Sequence, residues 1–294
     1  MRRVLVALDA SPHSLAALQA AVDLAGSHRL ELVALFVEDL RLLQATALPF
    51  AREVGTFSGV ARPLGLPETE RRFQHLARRV EALVAAAAGR AEVASWSFRV
   101  RRGEVASEIL ASLEPDDLLS VGAAGWSPLR ARGLGETAQR LLHLAHGPVL
   151  LARHGTRLRL PLLVLLEGNA WRDALAMAVA LAGPAAAGLV LAIAPGREQE
   201  AREEEAKALL MRLGAQPSRA RLLAGAGPAA LRAVIRREGA GALLLPADAA
   251  ALQGAAGEQL LASIDVPVVV VHAPPADEPA PASAPEGHEK SPLG

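Results

Sequence analysis

The sequence predicts an α/β protein built as two tandem domains, and three observations carry that expectation. Short continuous apolar runs such as Val4–Leu8 have the composition of strands buried on both faces of a parallel sheet. Each run is followed by a helical segment and a further apolar run, the spacing of a βαβ unit. The same succession then begins again at Leu160. At 294 residues the chain is long for one domain and comfortable for two of about 100–150 residues.

In chain order, Asp9 ends the first run. Ser11-Pro12 supplies an N-cap and a first-turn proline for a helix whose Leu15, Leu18, Val22 and Ala25 share one face, with Gly26 as its expected stop. Leu30–Val37 reads as the second strand. Residues 38–67 then interrupt the rhythm. Leu40, Leu43 and Ala47 fit one face of a short helix, while Gly55, Gly59, Pro63 and Pro67 argue for an irregular end. So long an insert in a compact domain is a functional lid or a packing arm.

A long helix is expected from Glu68 to about Ala88, with Phe73, Leu76, Val80, Leu83 and Val84 inward. Ala94–Val100 reads as the third strand, Gly103–Leu113 as a short helix and Asp117–Val121 as the fourth strand. Gly122, Gly125, an arginine-bearing loop over 126–134 and Gly135 follow, and a helix then runs to about Ala145. Such a turn, leaving a strand and feeding a helix, lets backbone N–H groups converge on an anion. The fifth strand is Pro148–Leu151.

The second half restates the first. Leu160–Leu166 ends in an acid, Glu167, as Val4–Leu8 ends in Asp9. A helix through Ala174, Ala178 and Leu181, a strand at Gly188–Ala194, a Glu/Arg-rich helix closed by Gly214, a strand at Arg221–Leu223, a helix at Pro228–Arg237 and a strand at Ala242–Leu245 follow. A last helix leads into Val266–His272. The copy is shorter, chiefly because it has no counterpart of 38–67. The domains are therefore 1–153 and 159–272. The Pro/Ala-rich segment 273–294 cannot bury enough apolar surface to offset its ordering entropy and is expected to be a disordered tail.

Composition excludes several function classes. Apolar residues make up 51% of the chain but aromatics only 3%, so the cores must be built from Leu, Val and Ala. Formal net charge is zero, which gives no nucleic-acid footprint. Cysteine is absent, which excludes disulfides, thiolate metal sites and a cysteine nucleophile. The apolar run at the N-terminus is too short for a signal-peptide core, and no run approaches a membrane span, so a cytoplasmic protein is expected. There is no Gly-x-Ser-x-Gly elbow, His-Glu-x-x-His pair or lysine-bearing phosphate loop, and Lys207 and Lys290, the only lysines, follow no glycine turn.

With the repeat established, a family resemblance becomes specific. VLVALDASPHSLAALQAA, RRGEVASEILASLEPDDLLSVGAAG and GPVLLA resemble the first-strand, fourth-strand and last-strand regions of universal stress proteins. That family's nucleotide motif is two glycines separated by two residues, then nine residues, then Gly-Ser or Gly-Thr. Gly122, Gly125 and Gly135 keep this spacing. The resemblance covers nearly all of 1–153 and, more faintly, 159–272. It implies two Rossmann-like domains, each a five-stranded parallel sheet of order 3-2-1-4-5 with helices on both faces. It also implies ATP or a related adenine nucleotide in the first domain, with Mg²⁺ as a possible companion. The implied binding residues are Ala7, Leu8, Asp9, Val37, Val121, Gly122, Gly125, Gly135, Glu136 and Thr137. Single-domain relatives pair through the last strand, so the two domains are expected to form an internal pseudo-dimer.

Two departures qualify the resemblance. Glu136 stands where a hydroxyl residue is expected, and a carboxylate there occupies the anion site at the helix N-terminus. Two unit charges about 4 Å apart interact by about 4 kcal/mol at an effective dielectric of 20, so phosphate binding needs Mg²⁺, Arg130 or Arg132 as an offset. Thr137 is one place away and carries a hydroxyl. In the second domain Pro246 and Ala249 replace the paired glycines, the loop is shorter, and Ala255 and Ala256 follow Gly254. That half is expected to be a structural partner that binds no nucleotide in the family's manner.

Other residues carry two readings. Asp9 is an adenosine ligand or a turn residue; His13 is a base or an exposed first-turn histidine. His143 and His146 are a metal pair or helix-surface residues, and Arg99, Arg101 and Arg102 are a phosphate contact or a solvated strand end. No catalytic constellation and no metal site emerges. The expected function is a stress-response binding module. Its alternatives are a nucleotide-independent scaffold, touching a protein partner through 38–67 or the tail, and a slow ATPase.

Overall fold

The computed structural model describes residues 1–54, 59–125, 133–183, 188–215, 219–223 and 227–273. The expected tail over 274–294 and the loop 126–132, with Arg130 and Arg132, lie outside the described residues. The first half contributes β1 (Arg3–Leu8), β2 (Glu31–Asp39), a hairpin of β3 (Arg52–Val54) and β4 (Ala61–Pro63), β5 (Trp96–Gly103), β6 (Asp117–Gly122) and β7 (Val149–Ala152). The second contributes β8 (Leu162–Leu166), β9 (Leu189–Ile193), β10 (Arg219–Leu222), β11 (Ala242–Pro246) and β12 (Val268–Val271).

Within each half the strands lie in the order 3-2-1-4-5, that is β5-β2-β1-β6-β7 and β10-β9-β8-β11-β12, and every pair within a half is parallel. The halves join through β7 and β12, which pair antiparallel with Val268 opposite Leu151 and Val270 opposite Val149. One ten-stranded sheet results. Both apolar layers run the length of the sheet, because the two edges that would otherwise be exposed cover one another.

One layer lies under α1 (Pro12–His28), α3 (Leu66–Arg90), α6 (Trp171–Ala182) and α7 (Gln199–Arg212). The other lies under α4 (Val105–Ala111), α5 (Glu136–Leu144), α8 (Pro228–Glu238) and α9 (Gly254–Ser263). Alternation along β1 sends Val4, Val6 and Leu8 to the first layer and Leu5 and Ala7 to the second. At the amino ends of β1 and β6, buried Arg3 grips buried Asp117 with Nε on Oδ1 at 2.8 Å and Nη2 on Oδ2 at 2.5 Å. This bidentate pair fixes the two strands that flank the crevice described below.

Several boundaries move. Gly26 does not stop α1, which continues to His28 and is capped by Arg29 in the left-handed region. A Cβ on Gly26 would lie 2.5 Å from the Ala91 carbonyl oxygen, so the glycine serves close packing on the end of α3. Glu38 and Asp39 belong to β2, and Pro67 sits in the first turn of α3, where it is tolerated. The insert is thus narrower than 38–67. It holds α2 (Leu40–Ala45) and the β3–β4 hairpin, which Glu53 ties to α3 through Arg72 at 2.7 Å. No described helix is long and apolar enough to cross a membrane.

Candidate functional site

The site is built where β1 and β6 end side by side. Beyond Leu8 the chain turns through Asp9, Ala10 and Ser11 into α1, with Ala10 at a positive φ of 61°. Asp9 Oδ1 accepts the Ser11 N–H at 2.9 Å, and Ser11 Oγ accepts the Ser14 N–H at 3.1 Å as the helix cap. The second carboxylate oxygen of Asp9 faces Gly125, where an added Cβ would lie 3.5 Å from it. One oxygen of Asp9 thus holds the turn, and the other lies toward Gly125.

From β6 the chain is held by Ala123 N–H donating to the Ala152 oxygen at 2.8 Å, and it returns when Gly135 N–H donates to the Ala123 oxygen at 2.9 Å. A Cβ on Gly135 would meet Ala124 Cα and Gly125 N at 3.5 Å. Asp9, Gly125 and Gly135 thus converge at the carboxyl ends of β1 and β6. In this strand order that is the topological switch point, the usual ligand position in open α/β sheets. Gly135 caps α5 without a side-chain hydrogen bond.

The remaining expected residues divide. Ala7, Val37 and Val121 lie on the same side of the sheet, against the second apolar layer, below Gly135 and α5. Thr137 is half-buried in the first turn of α5. The Leu8 side chain is buried in the opposite layer, which leaves its backbone to the crevice. Gly122 also has a packing role. A Cβ there would lie 2.8 Å from the His13 carbonyl carbon and the Ser14 nitrogen, so glycine at 122 lets the first turn of α1 sit on β6.

Glu136 is exposed in the first turn of α5, and it has company that sequence reasoning missed. Arg41, held on α2 where Asp39 accepts its N–H at 2.9 Å, brings Nη1 to 3.5 Å from Glu136 and Nη2 to 3.5 Å from Glu104. Glu104 caps α4 by accepting the Ser107 N–H at 3.0 Å and also takes Arg140. Burial opposes its ionisation, but the Ser107 hydroxyl and amide and Arg140 together hold its carboxyl below the usual range. Arg41 and Glu136 are both well exposed, so the pair is worth little by itself and leaves the guanidinium available. The signal that would have found Arg41 is its place just beyond the end of the second strand.

The arginine cluster on β5 is split. Arg102 pairs with Glu38 at 2.7 Å and with Glu70 at 3.4 Å, whereas Arg101 is exposed and in register with Val37. His13 is half-buried, not exposed: its Nδ1 accepts the His154 N–H at 3.2 Å. Burial, then the positive charges of Arg153 and His154, push its pKa below the ordinary value. His143 sets Nδ1 2.7 Å from the Gln139 carbonyl oxygen, on the helix surface. Among the described residues no group of three His, Asp or Glu could hold a metal ion.

The second half has a different interior at the same point. Ala247 N–H donates to the Val271 oxygen at 2.8 Å, which aligns it with Ala123 and makes Asp248 the counterpart of Ala124. Asp248 takes the Asn169 N–H at 2.5 Å and the Ala170 N–H at 3.4 Å, while Glu167 reaches the Ala251 N–H at 3.4 Å. Gly254 is at φ 59° and is itself the first residue of α9, unlike Gly135. Asp248 thus sets a carboxylate of the chain itself where the first half has Ala124.

A parallel sheet repeated in tandem, with an acid and a glycine turn at one switch point, defines the doubly wound, ligand-binding class of α/β proteins. The chain belongs to the universal stress protein family, whose family model matches residues 1–153. The fold extends further than that match. A universal stress protein from Archaeoglobus fulgidus DSM 4304 superposes with a TM-score of 0.69 at 17% identity, covering 92% of this chain and 98% of that one. A functionally unknown protein from Pseudomonas aeruginosa PAO1 gives a TM-score of 0.58 at 17% identity, covering 92% of each chain. At such identities the likeness establishes the fold across both halves, including the one outside the family match. No curated protein matches the chain significantly.

Proposed function

We propose that the first half is a binding and regulatory module for ATP or a related adenine nucleotide, with the second half as its resident pseudo-dimer partner and no enzymatic role. One observation carries this reading: the Asp9 carboxylate, Gly125 and Gly135 meet beside the uncapped start of α5 at the switch point. The residues fit such a ligand. An added Cβ at Gly125 or Gly135 would make only ordinary contact with the protein, so the bare glycine backbone stays approachable. In this reading Asp9 accepts from the ribose, Val37 borders the base, and Gly125, Gly135 and Thr137 face the phosphates. Mg²⁺ or Arg41 offsets Glu136.

Asp248 supports the role of the second half, because it puts a carboxylate where the first half has Ala124. Isothermal titration of the full chain with ATP, with and without Mg²⁺, tests the proposal. Saturable heat that disappears in Gly125→Val is the expected result, and no heat at millimolar ATP refutes it. Phosphate release above a buffer blank, lost in Asp9→Ala, would restore the slow-ATPase reading.

A second reading has its own support. Phe50, Val54 and Val60 of the insert are 77%, 63% and 50% exposed, an apolar set suited to a protein partner. A nucleotide-independent scaffold acting through this arm would give no heat with ATP.

A further inference from the structure

A cavity of about 510 Å³ opens on the far side of the Asp9 turn, between α1, α3 and the linker that follows β7. Pro12, Leu15 and Ala16 give it an apolar stretch of floor, with Gln19 of the same helix beside them. Its rim is cationic or imidazole: Arg79 from α3, and His154 and Arg157 from the linker. No carboxylate lines it. Arg41, Arg72, Arg102 and Arg140 each meet an acid. Among the described residues Arg79 and Arg157 form no ion pair.

A second, smaller cavity offers a contrast. Arg159, Arg232 and Arg236 border it, but Asp265 lies among them as an internal counter-charge, and its volume is about 210 Å³. The larger cavity has the size of a small-molecule site and no such compensation. Two guanidinium groups favour a planar, bidentate anion such as a carboxylate. A hydrocarbon body would lie along Pro12, Leu15 and Ala16, while its carboxylate reached Arg79 and Arg157.

We propose that this cavity binds a medium-chain carboxylate, held at its head by Arg79 and Arg157 and along its chain by the outer face of α1. The site is separate from the crevice on the other side of the turn, so it does not depend on nucleotide binding there.

Calorimetric titration of the full chain with octanoate, acetate and octylammonium tests the assignment. Octanoate should bind with one-to-one stoichiometry, and acetate and octylammonium at least tenfold more weakly. Arg79→Gln with Arg157→Gln should weaken octanoate at least tenfold. Both residues are exposed, so the double variant should melt as the parent does. The single variants Arg79→Gln and Arg157→Gln should each give an intermediate loss. Gly125→Val, in the other crevice, should leave octanoate affinity unchanged. Absence of octanoate binding at millimolar concentration, equal binding of octylammonium or acetate, or full affinity in the double variant would each overturn the proposal.

Discussion

Asp248 accepts the Asn169 backbone N–H at 2.5 Å, whereas at the matching turn of the first half the Ser11 N–H goes to Asp9, within the turn. The donor is equivalent and the acceptor has changed places. Because Ala124 is the counterpart of Asp248, Ala124→Asp should bring a carboxylate into the first crevice. ATP affinity is expected to fall at least tenfold, with Ala124→Ser as the uncharged control close to the parent. Equal ATP binding by the aspartate variant would remove the crevice as the nucleotide site. Asp248→Ala should lower stability by about 1 kcal/mol through loss of a helix-start acceptor, read from urea unfolding.

Glu136 stands at the start of α5 with Arg41 at 3.5 Å. Removing the carboxylate relieves repulsion with phosphate and releases Arg41, so Glu136→Ser should tighten ATP binding several-fold in low salt. Arg41→Ala should act in the opposite direction. The gain should shrink as salt rises, since both groups are exposed. Weaker binding by Glu136→Ser would show that the carboxylate serves the site, for instance through Mg²⁺.

His13 yields a pH dependence. Burial and the neighbouring positive charges depress its folded pKa below the unfolded value of 6.5. Between the two values the unfolded chain binds more protons, so the contribution of His13 is complete above the unfolded value and is lost as pH falls through the folded one. Nδ1 can accept the His154 N–H only while it carries no proton. The unfolding free energy should therefore drop as pH falls below the ordinary histidine value of 6.5, and His13→Asn should flatten part of that slope. An identical slope in the variant would remove His13 from the account.

His272, just past β12, crosses the seam between the halves. Its Nδ1 and Nε2 lie 2.9 Å from the carbonyl oxygens of Gly147 and Leu142 respectively. His272→Leu leaves both carbonyls without this partner and should cost about 1–3 kcal/mol in urea unfolding. An unchanged midpoint would mean that the β7–β12 pairing alone holds the seam.

What could be read from the sequence had local causes. Val4–Leu8 and Leu162–Leu166 are apolar throughout because both sheet faces are covered, and Ser11-Pro12 announces its own helix. The glycine spacing at 122, 125 and 135 was also legible, though not its division of labour: 122 serves packing, while 125 and 135 line the crevice. The rest depends on distant partners. Gly26 answers to Ala91, and Asp248 answers to a donor 79 residues away. The β3–β4 hairpin has three-residue, exposed strands, too short to show an apolar period.

Antiparallel pairing of β7 with β12 reverses every strand of one half against the other. The first crevice and its carboxylate-filled counterpart therefore open at opposite edges of the sheet. Two identical chains joined this way would have to keep both pockets or lose both, because each substitution would appear twice. A single chain escapes that constraint. It can change one crevice and keep the other as it is, and dilution does not part them, since the linker fixes their effective concentration.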